Sequence, residues 1–181
     1  MHKIQLIPQI GLKIDGVGQI NFGDTKQQVS ALLGPFEANA GDENRVAYAQ
    51  YGFFADFSKS SGTFEAAEFW NDGAQNVSQV FIYEQEVLRT DAQKILKMLT
   101  EKNKGTAIEG WFYNIDVIYS GGNPANALAI IAQYKTDGTY EESKQFLLQD
   151  LEKATFFSAF GIGYKGYCQA GFEQTQAILN S

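Results

Sequence analysis

The sequence predicts an α+β fold: one antiparallel sheet, or two tandem sheet-plus-helix halves, with two or three packed helices. Three observations predict it. Phe53–Phe57, Thr63–Trp70 and Val77–Tyr83 are rich in aromatic and β-branched residues and are separated by turns that contain glycine. Asp91–Lys102 and Glu141–Ala154 carry apolar residues at helical spacing. Over 181 residues, 44% are hydrophobic and 19% charged, enough apolar material for one sizeable core.

The elements follow in order. Ile4 to Ile14 reads as an extended lead, and Pro8 predicts that it lies at a sheet edge. Val17–Phe22 alternates as a short half-buried strand, and Gly23 turns the chain. Thr25 and Gln28 have capping-box spacing. Val29, Leu32 and Leu33 supply the stripe of the helix that follows, which Gly34 and Pro35 stop. The polar stretch Ala38–Asn44 predicts a loop. Phe53, Ala55 and Phe57 alternate with Phe54 and Asp56, and a turn through Gly62 joins them to Thr63–Trp70 as a hairpin. Asn71-Asp72-Gly73 is a further turn, and Val77–Tyr83 would complete a three-stranded meander.

Thr90 and Gln93 again have capping-box spacing, ahead of a helix that buries Ala92, Ile95, Leu96 and Leu99. Trp111–Ser120 is strand-like, and Gly121-Gly122-Asn123-Pro124 ends it. In Ala127–Lys135, Leu128, Ile130, Ala132 and Tyr134 alternate and predict a strand, although Pro124 and the alanines also suit a helix. Leu147, Leu151 and Ala154 give Glu141–Ala154 an apolar face, with Phe146 beside it. Phe160–Tyr167 predicts one more strand, with close backbone approach at Gly161 and Gly163. Gln174–Ser181 reads as a short helix or a disordered tail. The expected organisation is a single domain over 1–181, with pseudo-repeated halves of about 1–104 and 105–181 as the alternative.

The chemistry the chain lacks narrows its function. His2 is the single histidine and Cys168 the single cysteine. Hydrolytic triads, thiol proteases and zinc sites are hard to build without imidazole in a rigid pocket. No D-x-D-x-D-G loop occurs, so neither a metal nor a cofactor is expected. Gly16-Val17-Gly18 with Gly23 has the wrong spacing for a dinucleotide loop and reads as a turn before a strand. One cysteine permits no internal disulfide, and no run reaches the ~18 apolar residues of a membrane helix. The start MHKIQLIPQIGLKIDG, broken by Pro8 and Gly11, makes a poor signal peptide. The expectation is therefore a cytoplasmic protein. The formal net charge is −7, and the only arginines are Arg45 and Arg89. This disfavours nucleic acid and suits a basic protein partner.

Two residue classes remain. Asp56, Glu65, Glu68 and Asp72 cluster around the first hairpin, and paired acids can hydrolyse glycosides without histidine. On a regular strand, however, Glu65 shares a face with Thr63 and Ala67, while Glu68 shares one with Phe64 and Trp70. The two glutamates are then a poor pair. Nine tyrosines and two tryptophans are the other class, and such residues anchor interfaces. Trp111 and Tyr113 share a strand face, and Phe112 points the other way. Trp70, Asp72, Tyr83, Glu84 and Glu86 lie near strand ends and turns, and they are the predicted partner-binding residues.

Residues 16–35 carry the pattern G-x-[ST]-x-x-x-V-x-x-x-L-G on Gly23, Thr25, Val29, Leu33 and Gly34. This resembles the small modules of β-lactamase-inhibitor-protein-like and outer-membrane-assembly lipoprotein domains. It is also similar to cytoplasmic proteins found beside polymorphic bacterial toxins. Glu65-Ala66-Ala67-Glu68-Phe69 is similar to a strand that follows in such modules. The likeness covers the first third of the chain. It departs in the proline directly after Gly34, in the missing lipobox cysteine and in the missing disulfide pair. What it implies is a binding or inhibitory role, with immunity to a toxin as one form. The expectation is a non-catalytic protein-binding module, most concretely an immunity-like inhibitor of a basic toxin or enzyme. A carboxylate-dependent hydrolase acting on a sugar and a carrier of a small apolar ligand are the alternatives.

Overall fold

The computed structural model describes residues 1–39, 42–105, 110–170 and 173. Along the chain the elements are β1 (His2–Ile7), β2 (Gly11–Ile14), β3 (Gly18–Asn21), α1 (Lys26–Leu33), β4 (Glu37–Asn39), β5 (Asp42–Tyr48), β6 (Phe53–Phe57) and β7 (Phe64–Trp70). There follow β8 (Ser78–Ile82), β9 (Gln85–Glu86), α2 (Ala92–Lys102), β10 (Trp111–Phe112), β11 (Val117–Gly121), α3 (Ala125–Thr136), α4 (Tyr140–Ala154) and β12 (Phe157–Gly163). A further helical turn opens at Tyr167. The α+β class is as predicted, with two sheets.

The five-stranded sheet has the order β3-β2-β1-β8-β9 and is mixed, because β1 and β8 run parallel. Its inward positions, Ile4, Leu6, Leu12, Ile14, Ile20, Val80 and Ile82, are buried and alternate with less buried positions, mostly polar but including Phe81. The seven-stranded sheet has the order β10-β11-β12-β7-β6-β5-β4 and is antiparallel throughout. Tyr48, Phe53, Phe69, Phe160 and Tyr119 are register partners in one inward row across it. Phe53 stacks on Tyr48 at 5.4 Å and on Phe69 at 4.9 Å between centroids. One continuous cluster of buried side chains joins both sheets to Val29 and Leu33 of α1 and to Ile95 and Leu99 of α2.

Both core helices start as their sequences dictate. Thr25 Oγ1 accepts from the Gln28 N–H at 3.2 Å, and Gln28 Oε1 accepts from the Thr25 N–H at 2.8 Å, a complete capping box. Thr25→Ala is expected to cost about 1 kcal/mol of stability, read from urea denaturation; an unchanged midpoint would mean that packing alone fixes this end. In α2 the cap is Asp91 rather than Thr90, because its Oδ1 accepts from the N–H groups of Gln93 (2.9 Å) and Lys94 (3.3 Å).

Five expectations are corrected. Pro8 marks no edge: it lies in the tight β1–β2 turn, and β1 is the central strand of its sheet. The polar stretch Ala38–Asn44 belongs to the β4–β5 hairpin, with residues 40 and 41 outside those described. Val77–Tyr83 does not complete a meander. The turn after Trp70 hands β8 to the other sheet, held there by Asn71 Nδ2, which donates to the carbonyls of Leu88 and Phe157 at 2.8 Å each. Trp111–Ser120 is two strands, β10 and β11, hinged at Asp116 with φ +49°.

Ala127–Lys135 is helix rather than strand. The segment has no strand to pair with, so its local helix propensity decides. α3 and α4 form a hairpin of helices between the adjacent strands β11 and β12. It buries Ile131 and Leu147, both outside the main core cluster, and leaves Leu128, Ile130, Phe146 and Leu148 exposed. The predicted tail Gln174–Ser181 lies outside the described residues. Among those described, no helix is long and apolar enough to cross a membrane.

Candidate functional site: an acidic aromatic groove

The outer face of the seven-stranded sheet carries the chemistry. Trp111, Ile118, Gly161, Glu68 and Phe54 are register partners in one row across β10, β11, β12, β7 and β6. Gly161 leaves this row without a side chain at its middle. Beside it lies a groove of about 440 Å³, walled by Glu65, Glu68, Ile118, Trp111, Tyr164 and Tyr167.

A β-bulge brings both glutamates to the groove. Asp56 pairs with Ala66 and Phe57 with Phe64, so Glu65 is an extra residue on β7. Phe64 points into the core, and so does Ala67. Glu65 and Glu68 therefore share the outer face, which corrects the regular alternation that put them on opposite sides. The Glu65 carbonyl accepts from the Tyr164 N–H at 2.8 Å, so the bulge also fixes where the chain leaves β12.

Arg45 on β5 joins two of the acids. Its Nη1 donates to Asp56 Oδ1 (3.1 Å) and Oδ2 (2.9 Å), and its Nη2 donates to Glu68 Oε1 (3.1 Å). The guanidinium lies 4.6 Å from the Phe54 ring centre. Burial pushes the Asp56 carboxyl above its ordinary range, and the Arg45 charge pulls it back down. Side chains here are only partly exposed, 26% for Arg45 and 20% for Asp56, so this pair is screened less than a surface one. The Glu65 carboxylate makes no hydrogen bond or ion pair among the described residues. Three carboxylates thus face one cation.

The tyrosine wall is hung on Asp116. This aspartate has no exposed surface, and its carboxylate accepts three hydrogen bonds. The donors are Gln9 Nε2 (3.0 Å), the Gly166 N–H (3.0 Å) and the Cys168 N–H (3.1 Å). The last two belong to the start of the final helical turn, which Asp116 caps. Tyr164 and Tyr167, edge to face at 5.7 Å, are held on either side of it.

Burial pushes the Tyr167 phenol up to about 12, and the nearby Asp56 charge adds to the effect. Burial likewise pushes the Cys168 thiol up to about 12, with the Asp116 charge second. The Cys168 side chain is buried, with Sγ 3.7 Å from the Val117 carbonyl oxygen. Both groups are acids that the fold keeps neutral. Above pH 9 the unfolded chain releases protons that the folded chain retains, so stability falls as pH rises from about 9 to 12. The urea midpoint is expected to decline across that window, and Cys168→Ala should flatten its first part. A midpoint constant to pH 11 would show that neither group is buried in solution.

The structure splits the predicted partner-binding residues between the two sheets. Trp70 and Asp72 stay together at the end of β7, where Trp70 Nε1 donates to Asp72 Oδ2 at 2.9 Å and the indole lies 4.8 Å from Phe54. Tyr83 and Glu84 are the two-residue turn between β8 and β9, both at positive φ (46° and 68°). The Tyr83 ring packs against the core beneath Lys102 Nζ at 5.0 Å. Glu86 faces Arg89 Nε at 3.6 Å. Trp70 alone joins the outer face described above, through Phe54. The groove residues absent from the predicted set are Glu65, Glu68, Trp111, Tyr164 and Tyr167, with Arg45 beside them through Glu68. Adjacent Ala66 and Ala67 between two glutamates were the available signal, since two small residues in succession break the alternation. Compared with known proteins, the chain matches no protein-family model, no curated protein and no solved structure.

Proposed function

We propose that this protein is a non-catalytic binding module for a basic protein partner, most concretely an immunity-like inhibitor of a basic toxin or enzyme. The observation that carries the reading is the open outer sheet face, where acids outnumber the cation and aromatic rings stand beside them. Acidic residues steer the encounter, and partly exposed indoles and phenols anchor the complex. Trp70 extends that face toward the end of β7, with Asp72 accepting from its indole N–H. Co-purification from lysate of the native host, washed at low and then high salt, tests the reading. One stoichiometric basic partner, released by salt, is expected. No partner, or an acidic one, overturns it.

The bulge favours one second reading. A cleft holding two glutamates and several aromatic rings also suits a sugar, and paired acids are the machinery of glycoside hydrolysis. Turnover of an aryl glycoside by the wild type, lost in both Glu65→Gln and Glu68→Gln, would replace binding with catalysis.

A further inference from the structure

From the groove's own geometry, we infer that it is a slot for one arginine side chain of the partner, with Trp111, Tyr164 and Tyr167 against the guanidinium plane and Glu65 as its counter-ion. The inference rests on the binding reading above and specifies the chemistry of the same face. The sheet itself supplies the template. The Arg45 guanidinium lies over Phe54, 4.6 Å from the ring centre, while Asp56 and Glu68 accept its N–H groups. In the register row, the groove continues that arrangement past Glu68: beyond Gly161 come Ile118 and then Trp111, both lining it. It repeats the ingredients of the Arg45 nest, carboxylate beside aromatic ring, without a guanidinium of its own.

Charge complementarity selects a cation. Glu65, Glu68 and Asp56 against Arg45 leave a net surplus of negative charge beside the groove, and Glu65 has no partner of its own among the described residues. The flat, half-buried walls select arginine over lysine. A guanidinium stacks on rings through its face while donating through its edge, and it gives up its hydration more readily than an ammonium. The missing side chain at Gly161 lets β12 lie close against β7 beside the groove, because a Cβ there would meet the Ala67 carbonyl oxygen and, at 3.0 Å, Ile118 Cγ1.

The test uses the intact protein and three capped tripeptides, Gly-X-Gly with X as arginine, lysine or the neutral isostere citrulline. The readout is the Trp111 indole N–H resonance, assigned with a Trp70→Phe variant. The arginine tripeptide is expected to shift that resonance at millimolar concentration, with citrulline bound about tenfold more weakly and lysine intermediate. Glu65→Gln should lose about the same factor at unchanged melting temperature, because that carboxylate has no internal bond to lose. No shift with the arginine peptide, or equal binding of all three, overturns the slot. Failure of the slot and failure of the reading are separable. A basic partner captured equally by the wild type and Glu65→Gln keeps the binding module and removes the slot. Arginine selectivity without any captured partner keeps the slot and removes the protein-binding role.

Discussion

Asp116→Ala is expected to lower the stability of the protein by about 4 kcal/mol, measured by urea denaturation. The residue is wholly buried, and its carboxylate ties Gln9 of the β1–β2 turn to Gly166 and Cys168, which follow β12. Removing it takes the side-chain acceptor from the buried Cys168 N–H and the part-buried Gly166 N–H and leaves the Gln9 amide only the Asn114 carbonyl, a heavier loss than that of any single bond. Alanine also fits poorly at φ +49°, whereas asparagine tolerates the left-handed region and keeps one carbonyl oxygen. Asp116→Asn should therefore cost about half as much. Asp116→Gly separates the two causes, since it relieves the backbone and restores no acceptor. A loss below about 1 kcal/mol for Asp116→Ala would mean that the donors find water, and that the cap is dispensable. Beyond stability, the tyrosine wall of the groove should loosen, because Gly166 and Cys168 bracket Tyr167.

Gly161→Ala is the second large effect, about 3 kcal/mol of lost stability. The added methyl would lie 2.3 Å from the Ala67 carbonyl oxygen and 3.1 Å from Glu68 Cα. Those are backbone atoms of the neighbouring strand, so no side chain can step aside. β12 is the seam between β7 and β11, and the spacing there must widen. A clash with Ile118 Cγ1 adds to this. Ile118→Ala placed in the same chain should rescue little, and a full rescue would show that the side chain, not the strand spacing, is the obstacle. The same substitution should abolish binding of the arginine tripeptide even at temperatures where the variant is folded.

Local rules were legible where local forces decide. Thr25 and Gln28 specify their helix start because both partners lie within one turn, and Phe53 to Trp70 specify a hairpin because the loop is short. The misreadings share a physical cause in events beyond the local window. β8 joins β1 in parallel, a pairing between segments more than seventy residues apart along the sequence, whereas adjacent strands are the usual neighbours. Ala127–Lys135 satisfies two periodicities at once, and only the absence of a sheet partner resolves them. The site was half legible: Glu65, Glu68 and Trp111 stood out as residues, but one bulged residue reverses which of them meet. Asp116 was silent because a buried carboxylate and a solvated turn residue look alike in sequence.

The strand order has a consequence for how the chain is made. β1 leaves the ribosome well before its parallel partner β8, which emerges only after β2 to β7 have been synthesised. β7 in turn waits for β12, which closes the larger sheet from the far side of α3 and α4. Neither sheet can be completed by a nascent fragment that stops short of its distant strand, and such long-range pairings form slowly. During that interval the edges of β1 and β7 stand unpaired, and these are the edges a chaperone would have to shield. The helical hairpin shortens the wait. Its own contacts are local, so it can form early and bring the ends of β11 and β12 together before the sheet claims them.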